Sequence, residues 1–125
     1  MINSRQKGAA FERFVAKALT FFGFPAKRGA QVSQGSWGIS APDVVVPCLP
    51  DFHIECKRHG RSRFDLDAAI AQASRDAQSG QMPVVIHRKD RCQVLATMIL
   101  EDWAKLVSHS DFPIQPKTQH PEITT

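Results

Sequence analysis

Three side chains in this sequence have types and spacing suited to chemistry. Asp43 opens the run Pro42-Asp43-Val44-Val45-Val46, and Glu55 and Lys57 stand two apart in Phe52-His53-Ile54-Glu55-Cys56-Lys57. Side chains alternate across a strand, so Glu55 and Lys57 emerge on one face while Ile54 and Cys56 take the other. Two carboxylates beside an ammonium group suit a hard cation held over a phosphodiester, with the lysine meeting the charge that develops during attack. The same acid-x-lysine pattern also describes a solvated ion pair of little energetic weight. Two features weigh toward chemistry: Asp43 sits at the mouth of an apolar strand next to a proline, and a third acid, Glu12, lies on a helix upstream.

The elements that must position these residues can be read from periodicity. In residues 8–22, Phe11, Phe14, Val15, Ala18, Leu19 and Phe22 recur at steps of three and four, predicting a helix with one buried stripe. Asn3 or Ser4 can cap its start and Gly23 can end it. Glu12 and Arg13 flank the stripe, and Glu12 is either a solvated neighbour of Lys17 or a carboxylate leaning over the sheet. Residues 25–32 read as a first strand bearing Lys27 and Arg28. A Gly-, Ser- and Gln-rich loop follows from Gly29 to Pro42 and carries a lone Trp37. That tryptophan is either a platform for an unpaired base or an apolar plug beneath the loop.

Residues 44–47 and 52–58 predict an antiparallel pair joined by Leu49-Pro50-Asp51. A basic loop leads to Asp65, which can cap a helix to about residue 79, with Leu66, Ala69, Ile70, Ala73 and Ala77 inward and Gly80 at its end. Residues 82–87 have the pattern of a strand buried on both faces. Residues 88–91 form a turn, 92–97 a fifth strand, and 99–107 a helix with Trp103 inward. The helix between two strands makes a crossover that returns a strand beside an earlier one. The expectation is an α/β domain over residues 1–108, a central mixed five-stranded sheet flanked by helices, with a loosely ordered tail over 109–125.

The chain has 125 residues, ample for a core without disulfides or metal, and its apolar fraction of 42% is that of an ordinary soluble protein. It contains no apolar run long enough to cross a bilayer and no signal-peptide core behind Met1, so the cytoplasm is the expected compartment. Cys48, Cys56 and Cys92 form no CxxC pair, and Cys56 and Cys92 read as small core residues. A zinc set of Cys48, His53, Cys56 and His59 matches no standard spacing, and His53 points away from Cys56. The net charge of +4 is concentrated in Arg5, Lys7, Arg13, Lys17, Lys27 and Arg28, and again in Lys57, Arg58, Arg61 and Arg63. Such clusters suit a polyanion, since neutralising phosphates releases counterions; they equally suit a solvated surface.

Taken together, these residues resemble the PD-(D/E)XK nuclease superfamily, and within it the archaeal-type Holliday junction resolvases, also found in phages. The likeness runs through Lys7-Gly8-Ala9, Phe11-Glu12-Arg13, Gly23-Phe24, Lys27-Arg28, Asp43-Val44-Val45, Ile54-Glu55-Cys56-Lys57 and Met82-Pro83-Val84. It implies a restriction-endonuclease-like fold and an Mg²⁺-dependent endodeoxyribonuclease, with Mn²⁺ as the other suitable ion. By the resemblance, Asp43 and Glu55 bind the metal with the Cys56 carbonyl, and Glu12 completes the site. Lys57 orients the attacking water or stabilises the developing charge. Arg13 and Arg28 match residues that hold DNA phosphates, and Gln72 corresponds to a glutamine on the following helix. Arg5, Lys7, Lys27, Arg58, Arg61 and Arg63 extend the expected DNA surface.

A resolvase makes two symmetric cuts and is therefore expected to be a homodimer on branched DNA, in the host cytoplasm if phage-encoded. The last strand, Trp103 and the Phe112 region are the dimer-seam candidates. The Gly29 to Pro42 loop is longer than in the archaeal resolvases, which touches junction specificity and not the nuclease reading. The alternatives are a nuclease of another substrate (restriction-like, flap-directed or end-processing) and a DNA-binding module on the same fold that does not cut.

Overall fold

The computed structural model describes residues 4–32, 41–61 and 63–110, with Ser4 and Arg5 as backbone only. The elements follow the expected order: α1 (Ser4–Phe21), β1 (Lys27–Arg28), a 3-10 turn (Gly29–Gln31), β2 (Val44–Val45), β3 (Phe52–His59), α2 (Leu66–Asp76), β4 (Met82–Lys89), β5 (Leu95–Met98) and α3 (Leu100–Ser108). The strands form one five-stranded sheet in the order β1-β2-β3-β4-β5. β3 and β4 run parallel, and the other neighbours are antiparallel. The fold is thus α/β with a mixed sheet, and α2 is the crossover between its two parallel strands.

Local chemistry sets where the elements stop. Gly23, at φ 102°, takes the left-handed conformation that ends α1. The Gly23 amide then donates to Thr20 O at 3.0 Å and the Phe24 amide to Leu19 O at 2.8 Å, the paired bonds of a glycine-terminated helix. Asp65 caps α2, its Oδ1 accepting from the Ala68 amide at 2.9 Å. α2 ends at Asp76, three residues earlier than expected, and Gly80 serves the turn into β4 instead.

The sheet is covered on both faces by different chemistry. On the α1 face Phe11, Val15, Ala16, Val44, Val46, Ile54, Val84 and Ile86 form the larger core. On the α2 face Ala69, Ala73 and Val85 are buried, with Phe64, Leu66 and Ile70 packed around them. Small side chains on α2 let the helix lie close to the strands, so its longer polar residues can reach them.

Four expectations are corrected. β1 is only two residues long: after a last ladder bond from the Gly29 amide to Asp43 O at 2.8 Å, the chain winds into the 3-10 turn, closed by the Val32 amide on Gly29 O at 3.1 Å. Phe14 and Phe22 are 46% and 69% exposed, although their period places them on the stripe that Phe11 and Val15 bury. Trp103 is 51% exposed, and α3 buries none of its residues. Cys92 lies exposed in the turn after β4, where Arg91 adopts φ 67° and the Cys92 amide donates to Lys89 O at 2.8 Å. The last two differences share a cause: the core does not extend to every apolar side chain near a strand or on an amphipathic helix.

Candidate active site

Asp43 stands just ahead of β2, and both neighbouring segments fix its backbone. Its amide donates to Ile54 O at 3.0 Å and its carbonyl accepts from the Gly29 amide at 2.8 Å. Gly29 is required here, since a Cβ would run into the carbonyl of Pro42. Held in this way, the Asp43 side chain crosses to β3, where its Oδ2 accepts from the Cys56 amide at 2.8 Å.

β3 supplies the rest by alternation. His53, Glu55 and Lys57 share the face toward α2, while Ile54 and Cys56 pack with the α1 core. Glu55 is buried, and His53 Nε2 lies 2.8 Å from its Oε1. Lys57 Nζ donates to Gln72 Oε1 on α2 at 3.1 Å. From α1, Glu12 accepts a hydrogen bond from Arg28 Nε at 3.2 Å.

The two acids titrate as a pair. Burial, a hydrogen bond to Glu55 and the charges of Glu55 and Glu12 outweigh the Cys56 amide and raise the Asp43 carboxyl from 3.8 to about 7. Burial pushes Glu55 up as well. Hydrogen bonds with His53 and Asp43 and the charges of His53 and Lys57 prevail, leaving it below its ordinary value. Glu55 is therefore the ionised member, and Asp43 carries the shared proton near neutrality. Two crowded oxygen donors, one of them kept from ionising by burial and then by the other, fit a hard divalent cation, which would replace that proton. The Cys56 thiol is pushed well up, by burial first and then by Asp43, Glu12 and Glu55, and is no nucleophile.

The structure brings together Asp43, Glu55, Lys57 and Gln72. Glu12 stands at the margin, turned to Arg28, and acts on Asp43 and Cys56 through its charge. Arg13, Lys27 and Arg28 line one cleft of about 310 Å³ with Lys17, next to the Glu12–Arg28 pair. Arg58 lies elsewhere, paired with Asp90 at 3.0 Å in a second cleft with Arg88 and Arg91. Lys7, Arg61 and Arg63 are exposed. The Arg5 side chain, Trp37 and Phe112 lie outside the described residues.

Sequence reasoning misses two side chains beside the site. His53, Glu55 and Asp76 place ligand-type atoms within 4.8 Å of one another. The sequence suggests His53 only as a partner of cysteines and His59, yet strand alternation already puts it on the face of Glu55. Asp76 follows Gln72 by four residues, one helical turn, and that spacing is the available signal.

An α/β fold that presents an acid at a strand mouth and acid-x-lysine on the next strand defines a nuclease of the PD-(D/E)XK class. The family described as "Phage putative PDDEXK endonuclease" matches residues 3–123, and the chain belongs to it. No curated protein and no solved structure matches the chain. Nucleases of this class generally use divalent metal ions. Among the described residues no helix is long and apolar enough to cross a membrane.

Proposed function

We propose that the chain is a metal-dependent endodeoxyribonuclease, selective for branched DNA such as a four-way junction, that cuts by attack of water at phosphorus. The observation that carries this reading is the meeting of the Asp43 and Glu55 carboxylates, with Lys57 two residues further along the strand of Glu55. Asp43 and Glu55 hold Mg²⁺ or Mn²⁺, and Glu12 lends charge from the margin. Such an ion, when bound, lowers the pKa of a ligated water and offsets phosphate charge. Gln72 steadies the Lys57 ammonium toward the phosphate, where it meets the negative charge of the transition state. Arg13, Lys17, Lys27 and Arg28 hold the flanking backbone.

Two symmetric cuts require two copies, and an apolar face supports a homodimer. All ten large apolar side chains exposed among the described residues fall within Phe14–Phe24 and Val94–Leu106. Phe14, Phe22, Val94 and Leu95 meet in one groove between α1 and β5. Apolar patches of this kind mark protein interfaces. For a phage nuclease the compartment is the host cytoplasm.

The test is cleavage of a labelled four-way junction beside a matched linear duplex, with Mg²⁺, with EDTA, and with Glu55→Ala. Paired nicks in the junction alone, lost in both controls, support the reading. Equal cutting of both substrates leaves a nuclease of broader substrate, and binding without cutting in Mg²⁺ and Mn²⁺ leaves a DNA-binding module.

A further inference from the structure

His53 is the most enclosed polar side chain of the described residues, 1% exposed, and nothing in the catalytic reading uses it. Its environment is specific. Nε2 lies 2.8 Å from Glu55 Oε1, and the Asp76 carboxylate approaches within 4.8 Å from the end of α2. A carboxylate oxygen accepts, so the tautomer that satisfies this contact has Nε2–H donating to Glu55. An enclosed hydrogen bond to a charged group also fixes direction, because a carboxylate left without a buried donor would turn or take up a proton.

We propose that His53 is a positioning residue of the nuclease site. Its imidazole fixes one oxygen of Glu55 and so aims the carboxylate at the place it shares with Asp43. This deepens the reading of Asp43 and Glu55 as metal ligands and rests on it. The topology explains how the device is built. α2 runs back along β3, so Gln72 meets Lys57 and Asp76, one turn later, comes to His53, four residues earlier on the strand. One helix thus supports both functional residues of the strand. Asp76 supplies a negative charge near the imidazole.

The experiment measures Mn²⁺ affinity calorimetrically on the full chain, for the wild type, His53→Leu, His53→Gln, Glu55→Gln and Asp76→Asn, with circular dichroism as the check on folding. Outer hydrogen-bond partners of metal ligands typically contribute about 10–100-fold in affinity. His53→Leu is expected to lose that much while folded, and His53→Gln, which keeps a donor, to recover most of it. A folded His53→Leu with affinity within about twofold of wild type overturns the proposal. If His53→Leu does not fold, His53→Ala takes its place: a tenfold loss that His53→Gln recovers supports the proposal, and affinity within about twofold of wild type overturns it. Two Mn²⁺ per chain, one lost in Asp76→Asn, would overturn it by making His53 a ligand. Unchanged binding in Glu55→Gln removes the metal reading itself, and this proposal with it.

Discussion

The Cys56 amide donates to Asp43 Oδ2 at 2.8 Å, linking the residue before β2 to the middle of β3. This bond brings two acids twelve residues apart in sequence into contact. It also favours the charged form of Asp43, against burial and Glu55, and so keeps the carboxyl near neutrality rather than fully protonated.

Asp43→Asn should abolish cleavage yet stabilise the metal-free protein at pH 8, by on the order of 1 kcal/mol or a few degrees in Tm. The amide keeps an acceptor for Cys56 and ends the repulsion with Glu55. Thermal melts in EDTA check it, and a lower Tm for the variant would contradict the crowding.

The advantage of that variant should depend on pH. The folded-state pKa of Asp43 is raised, so its favourable contribution is fully present below 3.8 and is lost as pH rises through about 7. Wild-type and Asp43→Asn melting curves in EDTA should therefore converge near pH 4 and separate toward pH 8. Metal binding must displace the same proton, so affinity should fall about tenfold per unit below pH 7. Calorimetry in buffers of different ionisation enthalpy counts the proton released.

Gln72→Ala leaves the Lys57 ammonium without its 3.1 Å acceptor while the buried face of α2 stays intact. The expected outcome is a kcat about tenfold lower at unchanged KM, the pattern of an interaction made in the transition state. Single-turnover cleavage at saturating enzyme distinguishes this from weaker DNA binding.

Replacing Arg13, Lys17 and Lys27 together by glutamine should weaken DNA binding and flatten its salt dependence. Each phosphate that is no longer neutralised by a side chain removes about 0.9 from the slope of log K against log salt on duplex DNA. Fluorescence anisotropy across a salt series measures it, and an unchanged slope would place the DNA elsewhere.

Leu95→Glu with Trp103→Ser tests the apolar face. These side chains are half-exposed, so the protomer should fold normally. Sedimentation should then show a monomer where the wild type sediments as a dimer, and identical sedimentation of both would point to a different seam.

Much of this is legible in the sequence, for identifiable reasons. The order of elements follows from period and punctuation: Gly23 does end its helix and Asp65 does cap α2, because backbone geometry makes those demands locally. Glu55 and Lys57 are readable because alternation alone decides their shared face. The same rule covers His53, but metal-ligand spacing draws it toward cysteines. Phe14, Phe22 and Trp103 are misplaced because amphipathic period reveals that a face is apolar and not what lies against it. The two-residue β1 is hidden because Ala30, Gln31 and Val32 read as a continuing strand, whereas Gly29–Gln31 winds into a 3-10 turn.

Ala73 is fully enclosed where α2 packs on Val85 of β4, and its side chain carries no polar group. It acts as a shim: its single methyl sets how far the helix rides above β4, and hence the reach across to neighbouring β3 available to Gln72 on one side and Asp76 on the other. Catalytic rate in this protein can therefore drift, or be tuned by design, through the thickness of one aliphatic residue in a layer that carries no chemistry of its own.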